Sequence, residues 1–242
     1  MMLRPELRAL VEPLLRPDGW MPMALRRLEQ DTLAARVAPG ERAALARAAR
    51  AAGAEMAARA RGDHPASAED ALRHRGVLIH EDDGEALCGP FVHHALYTAP
   101  PPSVTLYRRP LTALEDLLDA AGFREALDGM SVREVVLAHE LCHHLVHAGQ
   151  APEAVRPRVE VLRIGPWRRR AVVRAAEEIA AAGFAAAWCG LAWPPELLDC
   201  LTLAAWRDPT ALQVLDVPQR RDTHVNRTDD PARAVRGDVA AG

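Results

Sequence analysis

This chain of 242 residues contains no lysine; all 30 of its basic side chains are Arg. With Ala so frequent, that choice reads as a compositional bias of a GC-rich bacterial genome and carries no mechanism. The formal net charge is −3, which gives no general attraction to nucleic acid or to an anionic membrane. Long apolar runs are also missing. Arg, Glu and Pro interrupt the opening "MMLRPELRALVEPLLRPDGW", so no secretory h-region is expected there. The longest apolar stretch, Ile179 to Trp193, is Ala-rich, holds glycines and stops at Pro194-Pro195, too short and weak for a bilayer span. Cysteine is sparse: Cys88, Cys142, Cys189 and Cys200 are widely spaced and form no CxxC pair. The expectation is a cytoplasmic protein with reduced thiols. No internal repeat is found.

What is present is an ordinary globular composition, 49% hydrophobic and 26% charged, long enough to bury a core. Residues 1–62 read as a helical N-terminal extension broken at Pro17-Asp18-Gly19 and Pro39-Gly40, with 11 Arg against 7 acids. No turn motif separates two short helices, so a solvated extension is preferred to a DNA-binding helix-turn-helix. Residues 63–216 form the expected main domain. It opens with a short helix capped near Ser67, then a strand at Val77–His80 and a turn at Asp83-Gly84. "ALCGPFVHHALYT" and "SVTLYRR" are two further strand candidates, and a helix follows over Thr112–Ala121. A loop with Pro152, Pro157 and Gly165-Pro166 precedes a long helix expected from about Arg168 to Leu191, and "PPELLDCLTLAAWRD" reads as a last helix. The run "PWRRRAVVR" is read as the solvated start of that long helix, with an acidic partner as the second possibility. Residues 217–242 have almost no large apolar side chains and are expected to be disordered. The fold class is α+β, mainly helical.

"SVREVVLAHELCHHLVHAG", residues 131–149, carries the chemistry. Ser131 and Glu134 have capping-box spacing, and Gly149 suits the position after a helix end. Inside stands His139-Glu140-Leu141-Cys142-His143, an HExxH sequence. Residues four apart share a helical face, so His139 and His143 can grip one ion. Val132, Val135, Val136 and Val146 fall on that face, while Glu140 lies about 100° around, at a rim where it could act as general base. His144 is read as solvent-side, and His147 as a residue that could line the cleft. Cys142 is read first as a small core residue, second as a reactive thiol or alternative ligand.

A catalytic zinc site takes a third protein ligand. Position 149 is Gly, so a third His ten residues after His139 is absent. In "VVRAAEEIAAAGFAAAWCGL", Glu177 shares a face with Val173, Phe184, Trp188 and Leu191, whereas Glu178 lies with Arg174, Ala181 and Ala185. A carboxylate on the core face needs a partner, so Glu177 is the preferred third ligand and Glu178 the alternative.

"LAHELCHHLVHAG", followed about thirty residues later by "EEIAAAGFAAAWCGLAWP", resembles the ImmA/IrrE family of bacterial zinc metallopeptidases. His139, Glu140, His143 and His147 match its HELGHLLLH-type motif position by position, and "ALRHRGVLIHEDDG" resembles its opening helix and strand. Cys142 stands where the family has Gly, and the spacing from Glu to Phe is longer here. The resemblance implies a zincin-like core with a small sheet beside the HExxH helix. It also implies a cytoplasmic endopeptidase acting on a protein substrate, such as a helix-turn-helix repressor of stress-response or mobile-element genes. Tyr97, Tyr107, His93 and His94 are candidates for oxyanion stabilisation, and an edge strand near "SVTLYRR" could bind extended peptide. The alternative is a catalytically silent metal-binding regulatory protein of the same fold.

Overall fold

The computed structural model describes residues 11–16, 19–62, 66–84, 87–88, 91–120, 124 and 129–206. The tail expected to be disordered lies outside them. Within them the chain is α+β and mainly helical. Two helices come first, α1 (Trp20–Gln30) and α2 (Pro39–Gly62), then α3 (Ala68–His74). Five short strands follow: β1 (Leu78–Asp82), β2 (Leu87–Cys88), β3 (Phe91–Val92), β4 (Ala95–Thr98) and β5 (Ser103–Tyr107). Then come α4 (Arg108–Ala120), α5 (Val132–His147), the hairpin β6 (Arg158–Ile164) and β7 (Trp167–Val172), α6 (Arg174–Cys189) and α7 (Leu197–Trp206). Among the described residues no helix is long and apolar enough to cross a membrane.

The main sheet has the order β1-β5-β4, with β1 and β5 parallel and β4 antiparallel to β5. The "SVTLY" strand is therefore central, buried at Val104 and Leu106, and the edge beside helix α5 belongs to β4. β4 is thus the edge strand near "SVTLYRR". The region 166–173 departs from expectation: Trp167–Val172 is a strand, and the long helix begins only at Arg174. β-branched and aromatic residues flank Gly165, whose φ of 56° permits the tight connection.

The N-terminal helices are part of the core. Ala46, Ala49, Ala52, Gly53, Met56, Ala57 and Ala60 of α2 are all buried, and α2 lies along α6. The two backbones nearly touch. A Cβ on Gly53 would stand 1.9 Å from the Ala180 carbonyl oxygen, and one on Gly183 would stand 2.5 Å from the Arg50 carbonyl oxygen. Small residues at both crossings permit this approach, so the Ala-rich sequence serves packing and the solvated-extension reading gives way.

Caps tie distant segments together. Ser67 accepts from the Asp70 amide at 3.1 Å, as its position predicted. The capping box of α5 is not formed: Ser131 sits at the N-cap but its side chain makes no cap bond. Glu134 instead accepts from the Ala68 amide at 2.7 Å and from Trp188 Nε1 at 2.9 Å, tying α5 to α3 and α6. Gly149, with φ of 76°, ends α5 as expected, and the Gln150 amide donates to the Leu145 carbonyl at 3.0 Å. Helix α6 has Val173 at its N-cap, which cannot cap; Asp31 supplies the missing acceptor, taking the Ala175 amide at 2.9 Å.

Gly53→Ala is expected to cost about 3 kcal/mol or more, because the added methyl meets backbone that cannot move aside. Gly62→Ala, with no atom within 4 Å of the new methyl, is the neutral control. Urea unfolding of the two variants checks the difference.

Candidate metal centre

Helices α5 and α6 bring the chemistry together at a cleft of about 960 Å³. His139 and His143, one turn apart on α5, point their Nε2 atoms at each other across 3.2 Å. Glu178 of α6 closes the group, with Oε2 at 3.5 Å from His139 Nε2 and Oε1 at 3.6 Å from His143 Nε2. Among the described residues, His139, His143 and Glu178 are the group whose ligand atoms converge closely enough to hold a metal ion.

Glu177 is placed differently from the preferred reading. Its Oε1 lies 3.0 Å from His143 Nδ1, on the far side of the ring from the converging atoms. The two adjacent glutamates, about 100° apart on the helix, thus take different tasks. Glu178 offers its carboxylate to the centre; Glu177 holds His143 by its other nitrogen. In the neutral ring, accepting from Nδ1–H leaves the Nε2 lone pair free to face the centre, the arrangement that orients metal-bound imidazoles. Arg156 supports Glu177 at 3.3 Å, and Arg27 of α1 reaches Glu178 at 3.1 Å.

The donor set fits zinc. Ligand bonds of about 2.0–2.1 Å in a tetrahedron put neighbouring donors roughly 3.3 Å apart, close to the three separations found here. Two imidazoles and one carboxylate also match the ligand types of open catalytic zinc sites.

Glu140 also lines the cleft and is only 7% exposed, deeper than the rim position expected. It makes no hydrogen bond or ion pair among the described residues. Its carboxylate opens to the cleft with its acceptors free among the described residues, beside the three converging groups, and is suited to taking a proton. Cys142 is fully buried, and burial together with the carboxylates of Glu177, Glu178 and Glu140 pushes its thiol well up. It is placed as the small core residue first expected.

Two other histidines of the helix are tied to Tyr97. His144 Nδ1 lies 3.1 Å from the Tyr97 hydroxyl, so it is not simply solvent-side. The His147 ring packs on Tyr97 at 5.3 Å between centroids and lines the cleft. Tyr97, His93 and His94 line the cleft too; Tyr107, paired with Asp82 in the sheet, does not. His94 is buried, with Nε2 2.6 Å from Thr202 Oγ1 and Nδ1 3.4 Å from Asp199. Burial opposes charge on Asp199, but the His94 hydrogen bond and the charges of His94, Arg27 and His139 hold its carboxyl low.

Sequence reasoning missed Arg27, Asp31 and Asp199. The first two lie in the region read as an extension, and nothing in local spacing marks them. The chain matches no protein-family model, no curated protein and no solved structure.

The split between the glutamates is testable by zinc titration against a competing chelator. Glu178→Ala should abolish tight binding, whereas Glu177→Ala should weaken it only about 10–100-fold; the reverse order would reinstate Glu177 as ligand. A second test is pH linkage in metal-free protein. Burial disfavours a charged His143, but the Glu177 hydrogen bond and the carboxylates of Glu178 and Glu140 outweigh it and raise its pKa to about 9. The folded value exceeds the ordinary 6.5, so the stabilisation is complete below pH 6.5 and disappears as pH rises through about 9. Chelator-treated protein should lose about 3 kcal/mol over that interval, read by urea midpoints, and His143→Gln should flatten the loss.

Proposed function

We propose that this chain is a zinc-dependent endopeptidase with a zincin-like core, of the ImmA/IrrE type, acting in the cytoplasm on a regulatory protein such as a helix-turn-helix repressor. The observation that carries the reading is the convergence of His139, His143 and Glu178 in one cleft with Glu140, which has no hydrogen-bond or ion-pair partner among the described residues.

A zinc ion held by those three residues would supply Lewis acidity, polarising a scissile carbonyl and acidifying water. The residues of the chain do the rest. Glu140 accepts the proton of the attacking water and returns it to the leaving amine. Glu177 keeps His143 in the tautomer whose Nε2 lone pair faces the centre, and Arg156 holds Glu177 in turn. Tyr97, fixed by His144 and His147, is the hydroxyl donor best braced to meet an oxyanion. The β4 edge runs along the cleft through Ala95, Leu96 and Tyr97, so an extended peptide can add to it as a fourth strand.

The catalytically silent regulator makes a different forecast for the same site. On the peptidase reading, Glu140→Gln retains one zinc per chain but loses at least 100-fold in turnover, measured on a quenched fluorescent peptide library alongside elemental analysis. A parent protein that binds zinc and cleaves nothing in the library would leave the silent alternative standing.

A further inference from the structure

The β6–β7 hairpin is a two-sided ribbon with an unusual division of residues. Its register pairs Ile164 with Trp167, Leu162 with Arg169 and Val159 with Ala171. Side chains of paired residues share a face and alternate along a strand. The irregularity between Glu160 and Leu162 absorbs Val161 and keeps the alternation in step. One face therefore carries Val159, Leu162, Ile164, Trp167 and Ala171, with Arg169 opposite Leu162 as its one charged side chain. The other carries Arg158, Arg163, Arg168 and Arg170, with Glu160 and Val172.

The apolar face is covered only at its root, where Val159 packs against the core. Farther out, Leu162, Ile164 and Trp167 are 50%, 64% and 80% exposed. On the cationic face, Arg168 reaches Glu160 at 3.8 Å, while Arg158, Arg163 and Arg170 have no acidic partner among the described residues. A chain of net charge −3 has thus gathered five Arg against one Glu on one ribbon. A two-stranded ribbon is marginal by itself, and three contiguous large apolar side chains in water mark a binding surface.

The edges differ. The turn Ala34–Arg36 approaches β6, and Arg36 donates to the Glu160 carbonyl at 3.5 Å. β7 has β6 as its one paired strand among the described residues, so its outer row of amides and carbonyls is open. β7 also runs toward the metal centre: Val172 at its end, with Arg156 and Arg174 nearby, lines the cleft of His139 and His143.

We propose that β7 docks an extended segment of the protein substrate in which acidic and apolar residues alternate. Added as a third strand, such a segment lays its apolar side chains beside Trp167 and Ala171, with Leu162 and Ile164 one strand farther across the same face. Its carboxylates meet Arg168 and Arg170 directly, and the long side chains of Arg158 and Arg163 lie behind them on β6. This inference rests on the peptidase reading and names its substrate class. A polypeptide is favoured over other polyanions because it alone can satisfy the open backbone edge while matching both faces.

The test uses full-length, zinc-loaded Glu140→Gln protein, so that binding is read without cleavage. The probe is a fluorescent dodecapeptide alternating Glu with Val or Ile, followed by anisotropy. Arg163→Glu/Arg168→Glu/Arg170→Glu, on exposed positions, should weaken binding at least tenfold with zinc content and circular dichroism unchanged. Trp167→Ser should weaken it several-fold, and backbone N-methylation of alternate probe residues should abolish it. Equal binding by the triple variant, or by the N-methylated probe, overturns the proposal. So does tighter hairpin-dependent binding to duplex DNA, or to vesicles with 30 mol% phosphatidylglycerol, than to the peptide. Hairpin-dependent peptide binding, with no hydrolysis by the parent protein, supports the docking surface and defeats the peptidase reading alone.

Discussion

Everything at the centre depends on how closely α2 lies against α6. Gly53 faces the Ala180 carbonyl and Gly183 faces Arg50, contacts that leave no room for a methyl group. Ala180 is two residues beyond Glu178. Fixing the backbone there fixes the rotation of α6 about its axis, and that rotation decides which glutamate meets the histidines. A turn of about 100° would exchange Glu177 and Glu178. Which glutamate faces the two histidines is therefore decided by packing on the opposite side of the helix, through residues that have no chemistry of their own.

That dependence explains what could be read from the sequence and what could not. His139, Glu140 and His143 are legible because their relation is internal to one helix, where a spacing of four fixes a shared face. Ser67 and Gly149 are legible for the same reason: each cap is local. The choice between Glu177 and Glu178 is not local. Phe184 and Trp188 point to the core side of α6, which makes Glu177 look like the interior acid. Yet α6 is buried almost all round, among Ala175, Ala176, Ala180, Ala181 and Ala185, so its large residues do not single out the side that faces α5. Glu134 shows the same limit. Its capping-box spacing with Ser131 is correct, but Ala68 and Trp188 are stronger claimants once the helices pack.

The N-terminal helices illustrate a second limit of reading by composition. An Arg/Ala-rich segment has high helix propensity and a weak amphipathic signature, so it resembles a solvated extension. Ala and Gly on the buried side of α2 are there because two backbones approach closely. Once α2 is in place, α1 brings Arg27 to Glu178 and Asp31 to the start of α6. Part of the charge balance of the centre, and the side-chain acceptor at the start of the helix bearing Glu177 and Glu178, come from a region that local patterns had set apart.

The charge of the molecule is also organised more sharply than its net value suggests. Glu140, Glu177, Glu178 and Asp199 crowd the cleft, where Arg27, Arg156 and the histidines partly offset them. Arg158, Arg163 and Arg170 of the hairpin, without an acidic partner among the described residues, stand outside, on a ribbon leading into that cleft. An acidic segment would be repelled by the metal-free cleft and attracted by the ribbon. A divalent cation at His139, His143 and Glu178 would reduce the first of these effects and leave the second in place. On the proposed peptidase reading, electrostatics makes the same demand on a substrate as the hydrogen-bonding edge does. The acidic stretch would lie on the arm, and the bond to be cut beyond it.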